Sequence, residues 1–156
     1  MYMDTVRTLA ARGLPRYEIS NFSRPDRQSR HNLKYWRRED YLGLGLAAHS
    51  CLGNRRFSNT ESLSDYLAGR QSGTAEVVSP HDILCEKIML GMRLDEGVNF
   101  DALTREHGTE ANDCRNALAR YVDRGFVKKS GSSLAFTNDG MYVSNAILAD
   151  VLDFDK

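Results

Sequence analysis

The densest chemistry in the chain lies between residues 24 and 38. There Arg24, Arg27, Arg30, Lys34, Arg37 and Arg38 are set against a single acid, Asp26, and His31, Tyr35 and Trp36 are interleaved with them. A neutral imidazole is a metal ligand or a hydrogen-bonding group. A phenol and an indole offer broad apolar area with one polar edge, and guanidinium forks match carboxylates bidentately. The same composition also reads as a solvated basic loop, with His31 bonded to a backbone carbonyl and Tyr35 and Trp36 packed inward.

Other reactive types are scattered. His49 follows the pair Gly43 and Gly45, glycines that permit close backbone approach or contacts to a cofactor, while a packing role suits the histidine. His81 stands beside Asp82 and Glu86 in the first turns of an expected helix, where acids complement the dipole, and His107 precedes Gly108 at a helix end. Cys51, Cys85 and Cys114 are odd in number and never closer than 29 positions, so they form neither a disulfide framework nor a close-spaced metal motif. Reduced, partly buried thiols are expected.

These groups need elements to position them. At 156 residues and 41% hydrophobic, the chain can build one moderate core or two small ones. Its net charge of zero divides unevenly: residues 1–75 carry 12 Lys+Arg against 7 Asp+Glu, and residues 76–156 carry 9 against 14. Two units with different partners, or two halves that attract each other, both fit that polarity.

In the first unit the spacing predicts a helix over residues 2–12, a strand from Tyr17 to Phe22, and an irregular functional loop from Arg24 to Asp40. A glycine-interrupted apolar run from Leu42 to Ala48, a helix over 62–68 and a linker over 70–74 follow. In the second, Ser79 and Pro80 start a helix to about Leu94 with Leu84, Ile88 and Met92 as its stripe. Further helices are expected over 100–107 and from Thr109 to Gly125, then a hairpin around Gly131, then one helix from Asn138.

Three words in the first unit carry a resemblance: Tyr17-Glu-Ile-Ser-Asn-Phe22, His31-Asn-Leu-Lys-Tyr-Trp36 and Tyr41-Leu-Gly-Leu-Gly-Leu-Ala-Ala-His-Ser50. The run Glu86 to Leu94, Gly97-Val98 and Leu134 to Gly140 continue it in order. Together they resemble the heme-chaperone branch of the radical S-adenosylmethionine family, relatives of oxygen-independent coproporphyrinogen III oxidase. The resemblance implies an α+β fold: a remnant of a partial α/β barrel over residues 1–75, then a winged-helix-like C-terminal domain over 76–156.

It also implies heme as ligand, with His31 on the iron, Tyr35 and Trp36 against the macrocycle, and Arg30 among the bases near the propionates. Gly43 and Gly45 become candidate cofactor contacts, although Leu46 departs from the small residue usual after the second glycine. The family's CxxxCxxC motif is absent, so a 4Fe–4S cluster and S-adenosylmethionine are expected only in a full-length parent, and the chain is expected not to be catalytic alone.

Three functions follow as expectations. The first is the C-terminal part of a heme chaperone that binds heme and delivers it to an acceptor protein. The second is a piece of the coproporphyrinogen oxidase of porphyrin biosynthesis. The third is a winged-helix module for protein contact, including a homodimer. No nucleic acid is expected as a partner, because the stretch Glu110 to Arg124 balances three acids with three bases. With no run of about 18 apolar residues and no secretory layout at the start, no transmembrane segment is expected and a cytoplasmic protein is.

Overall fold

A computed structural model describes residues 1–152. Helix α1, Tyr2–Ala11, opens it with Val6 as its buried residue. The segment expected as a strand from Tyr17 to Phe22 instead turns back on itself. Tyr17 N donates to Asn21 O at 3.1 Å and Ser23 N to Pro15 O at 3.1 Å, while Glu18 pairs with Leu94. Ser20 and Asn21 are turn formers, so the chain reverses before a ladder can extend. The phenol of Tyr2 donates to Ile19 O at 2.9 Å and fastens α1 to this turn.

The loop expected from Arg24 to Asp40 contains a helix, α2, Arg30–Trp36. Ser29 caps it by accepting from Asn32 N at 3.2 Å, a local signal hidden among the arginines. Strands β1, His49–Leu52, and β2, Arg55–Ser58, form a hairpin through Gly53 at φ +58°. After α3, Leu63–Leu67, capped by Ser62, strand β3, Ala75–Val77, adds antiparallel to β2 in the order β1-β2-β3. Residues 70–74 connect as expected, but the strand after them had no alternating apolar pattern to announce it, since all three of its residues are exposed.

Helix α4, Pro80–Gly91, has the cap and first-turn proline that its sequence specifies, with Ser79 Oγ accepting from Asp82 N at 3.0 Å. Then come β4, Val98–Asn99, α5, Phe100–His107, α6, Thr109–Ala119, and the hairpin β5, Val127–Ser130, with β6, Ser133–Phe136. The second sheet runs β4-β6-β5, all antiparallel. Thr109 does not cap α6: Gly108 occupies that position at φ +64°, and the helix stops at Ala119 rather than at Gly125. The single final helix expected from Asn138 is two, α7, Asn138–Tyr142, and α8, Ser144–Val151, broken where Val143 leaves helical geometry at φ −109°. That break lets Met141 and Ile147 both face inward.

The core belongs to the second half. Leu84, Ile88, Met92, Phe100, Leu118 and Phe136 are 0% exposed and join one cluster that continues through Met141 and Leu148; Ile19 packs on it from the first half. The fold is thus α+β, with two small antiparallel sheets among helices. No helix among the described residues is long and apolar enough to cross a membrane.

The two oppositely charged halves meet through ion pairs with the base always in the first half. Arg38 Nε lies 2.6 Å from Glu86, Arg56 pairs with the other Glu86 oxygen and with Glu76, and Arg37 forks onto Glu96 at 3.0 and 3.2 Å. Arg16 lies 3.8 Å from Asp95. Glu86 is mostly buried, so losing its carboxylate leaves two guanidinium groups facing each other.

Two stability predictions follow. Glu86→Ala lowers unfolding free energy by about 2–4 kcal/mol in a urea titration, because removing one partner from a mostly buried ion cluster strands the others. A Cβ on Gly140 would lie 1.7 Å from Phe126 O. Gly140→Ala therefore costs at least about 2 kcal/mol by the same measurement, with strain on the hairpin rather than loss of apolar burial as its cause.

Candidate functional site

Helix α2, the β1–β2 hairpin and helix α4 enclose a groove of about 390 Å³. Tyr35 comes from α2, His49 and Cys51 from β1, Met89 and Leu90 from α4, and Tyr41 from the connection between them. At its base lies the Arg38–Glu86–Arg56 cluster. That volume falls within the range of small-molecule sites, and the mixture of aromatic, aliphatic and a few polar groups is typical of them.

A ladder of rings leads into the groove. His31 and Tyr35, four residues apart on α2, meet edge to face with centroids 5.0 Å apart and planes at 82°, as helical spacing requires. Tyr35 meets Tyr41 at 4.7 Å and 65°. Tyr41 is pinned by a two-way backbone bridge to Cys51 at 2.8 and 2.9 Å. Burial, and next the neighbouring Cys51, raise the Tyr41 phenol above its ordinary pKa of 10.0, so it is a neutral hydrogen-bonding group at physiological pH.

The sequence-predicted residues divide. Tyr35 lines the groove; His31 is exposed at the outer end of the ladder; Trp36 is half-buried and Arg30 exposed, and neither lines the groove. Of the six bases, Arg37 and Arg38 are held by Glu96 and Glu86. Arg24, Arg27, Arg30 and Lys34 are exposed and make no ion pair among the described residues.

Gly43 and Gly45 shape the backbone above β1. A Cβ on Gly43 would lie 2.2 Å from His49 O, and Gly45 sits at φ +109° with its carbonyl accepting from Asn59 Nδ2 at 2.7 Å. Close backbone approach requires glycine at 43, and the left-handed backbone favours it at 45. The leucines between and beside them, Leu42, Leu44 and Leu46, point outward and are 61%, 85% and 41% exposed.

Sequence reasoning overlooked His49, Cys51, Tyr41 and Met89 as groove residues, because they converge only through the hairpin and α4. The readable signal was the two-residue spacing of His49 and Cys51, which places both on one face of a strand. It also placed His81 within its own helix, whereas the ring bonds across to Glu110 on α6 through Nδ1, with Nε2 3.6 Å from Cys85 Sγ.

A second cavity, about 480 Å³, adjoins the Tyr17–Phe22 turn. Its charged walls, Arg16, Arg37, Asp95 and Glu96, largely answer one another, and it presents neither imidazole nor thiol. Among the described residues, no three His, Cys, Asp or Glu side chains are grouped to hold a metal ion.

The chain is similar to known proteins along most of its length. Residues 78–143 match the family described as the HemN C-terminal domain. The chain is 34% identical to the heme chaperone HemW of Synechocystis over 83% of its length and 33% of that protein's. It is 27% identical to the heme chaperone HemW of Bacillus subtilis over 97% and 42% of the two lengths. Radical S-adenosyl methionine domain-containing protein 1, mitochondrial, of Danio rerio is 32% identical over 97% and 38%. The structure of the radical SAM enzyme coproporphyrinogen III oxidase, HemN, from Escherichia coli superposes with a TM-score of 0.69 at 14% identity, over 97% of this chain and 40% of that one. The chain thus spans about two fifths or less of these relatives' length, and with residues 78–143 matching the HemN C-terminal domain it belongs to the HemW/HemN family of radical SAM proteins.

Proposed function

We propose that the chain is the heme-handling C-terminal part of a heme chaperone, which holds heme against α2 and the adjoining groove and passes it to an acceptor protein. The observation that carries this reading is the ring ladder from His31 through Tyr35 to Tyr41, which ends in a groove, while Arg30 and Lys34 on the same helix make no ion pair among the described residues. Heme iron needs only one or two protein ligands, since its macrocycle fills the remaining positions. A site with isolated imidazoles, rather than a cluster of donors, fits such an ion.

The roles of the residues follow from their places. His31 offers an exposed imidazole to the iron, and Tyr35 offers its ring to the macrocycle. Trp36 supplies apolar area on the same short helix. Arg30, with Arg24, Arg27 and Lys34, is available for propionates because no carboxylate of the chain occupies it.

Residues 1–75 form the remnant of a partial barrel in this reading, and residues 76–156 form a winged-helix-like cap. The order α4, β4, α5, α6, β5, β6 supports that description of the cap. A role in protein contact suits it better than phosphate binding, because α6 carries Glu110 and Asp113 against Arg115, and Arg115 already pairs with Asp101 at 3.2 Å. The oxidase reading is weaker for this chain, since the His31-Asn-Leu-Lys-Tyr-Trp36 word favours the chaperone branch and the sequence relatives include heme chaperones at 27–34% identity.

Hemin titration followed at the Soret band tests the reading. The chain is expected to give a saturable, histidine-type Soret shift, and His31→Ala to weaken binding by about tenfold. A chain that leaves the hemin spectrum unchanged is not the heme-handling part; unchanged binding in the variant removes His31 from the ligands.

A further inference from the structure

His49 stands on the hairpin side of the groove, away from the α2 sequence word that contains His31. We propose that His49 is a second heme-iron ligand, an inference that rests on the heme reading above.

Its placement is fixed by the strand. His49 and Cys51 lie two residues apart on β1, so their side chains share a face, and both line the groove with Tyr35, Tyr41 and Met89. Cys51 is 5% exposed, whereas His49 is open to solvent. No hydrogen bond, ion pair or ring contact engages the His49 side chain among the described residues, while the guanidinium of Arg56 on the same wall is taken by Glu86 and Glu76.

The backbone under His49 is held from both sides. It pairs with Ser58 in the hairpin register, and Gly43 crosses its carbonyl so closely that no side chain fits between them. Exposure alone leaves a histidine solvated without protein partners, and what distinguishes His49 is that its ring also lines the groove. An unengaged imidazole on a clamped strand, directed into a cavity walled by rings and a thioether, is instead arranged as a metal ligand is, on a rigid element with its donor atom unoccupied.

The test is hemin titration of the whole chain, of His49→Ala and of His31→Ala, read by Soret position, affinity and electron paramagnetic resonance of the ferric spin state. His49→Ala is expected to lose about tenfold or more in affinity and to shift from low-spin toward high-spin heme, with added imidazole restoring the low-spin spectrum. His49→Gln keeps a polar side chain without the imidazole and is expected to show the same loss. Far-UV circular dichroism and the urea midpoint confirm that both variants are folded.

Wild-type affinity, Soret position and spin state in either His49 variant overturn the assignment and leave the heme reading standing. Failure of the unaltered chain to bind hemin overturns both. A low-spin spectrum in the unaltered chain that turns high-spin in both His31→Ala and His49→Ala supports the assignment.

Discussion

A single carboxylate joins the two halves of this molecule. Glu86, on the second turn of α4, accepts Arg38 from the end of α2 on one oxygen and Arg56 from β2 on the other. The three elements that wall the groove are thereby tied at one point. Arg38 makes this contact from the left-handed region at φ +53°, a conformation that an L residue adopts at a cost of about 1 kcal/mol. Its further bond to Gly53 O at 3.1 Å anchors the hairpin turn as well. The unfavourable backbone geometry persists because the ion cluster and that carbonyl fix the side chain's direction.

Much of the second half was legible because its signals are local. Ser79 and Pro80 at the start of α4, Gly108 after α5 and the glycine-centred β5–β6 hairpin are short-range instructions, and the structure follows them. The misreadings have a common physical form. Tyr17 to Phe22 has strand-forming residues but reverses at Ser20 and Asn21, and its one sheet-like pairing, Glu18 with Leu94, spans 76 positions that no local pattern registers. Helix α2 was obscured by polarity, since four of its seven residues are Arg30, His31, Asn32 and Lys34 and none of the seven is buried.

The site divides along the same line. Tyr35 and His31 were legible because they share a short sequence word and, at four-residue spacing, one helix face. His49, Tyr41 and Met89 were not, because the groove is made by the approach of β1 to α4 through Glu86. The charge asymmetry between the halves, ambiguous in the sequence, acquires a concrete meaning in the ion pairs that cross between them.

The uneven distribution of the core has a mechanical consequence. The fully buried apolar side chains lie between Leu84 and Phe136, while the first half contributes Val6, Cys51 and the buried polar groups Arg16, Glu18, Ser50 and Thr60. Ion pairs therefore do much of the fastening of the first half, and salt screens the exposed Arg37–Glu96 and Arg56–Glu76 contacts far more than the mostly buried Arg38–Glu86 pair. The groove crosses that seam. A molecule seated in it touches both sides and acts as a rivet, so its binding free energy also resists separation of the halves.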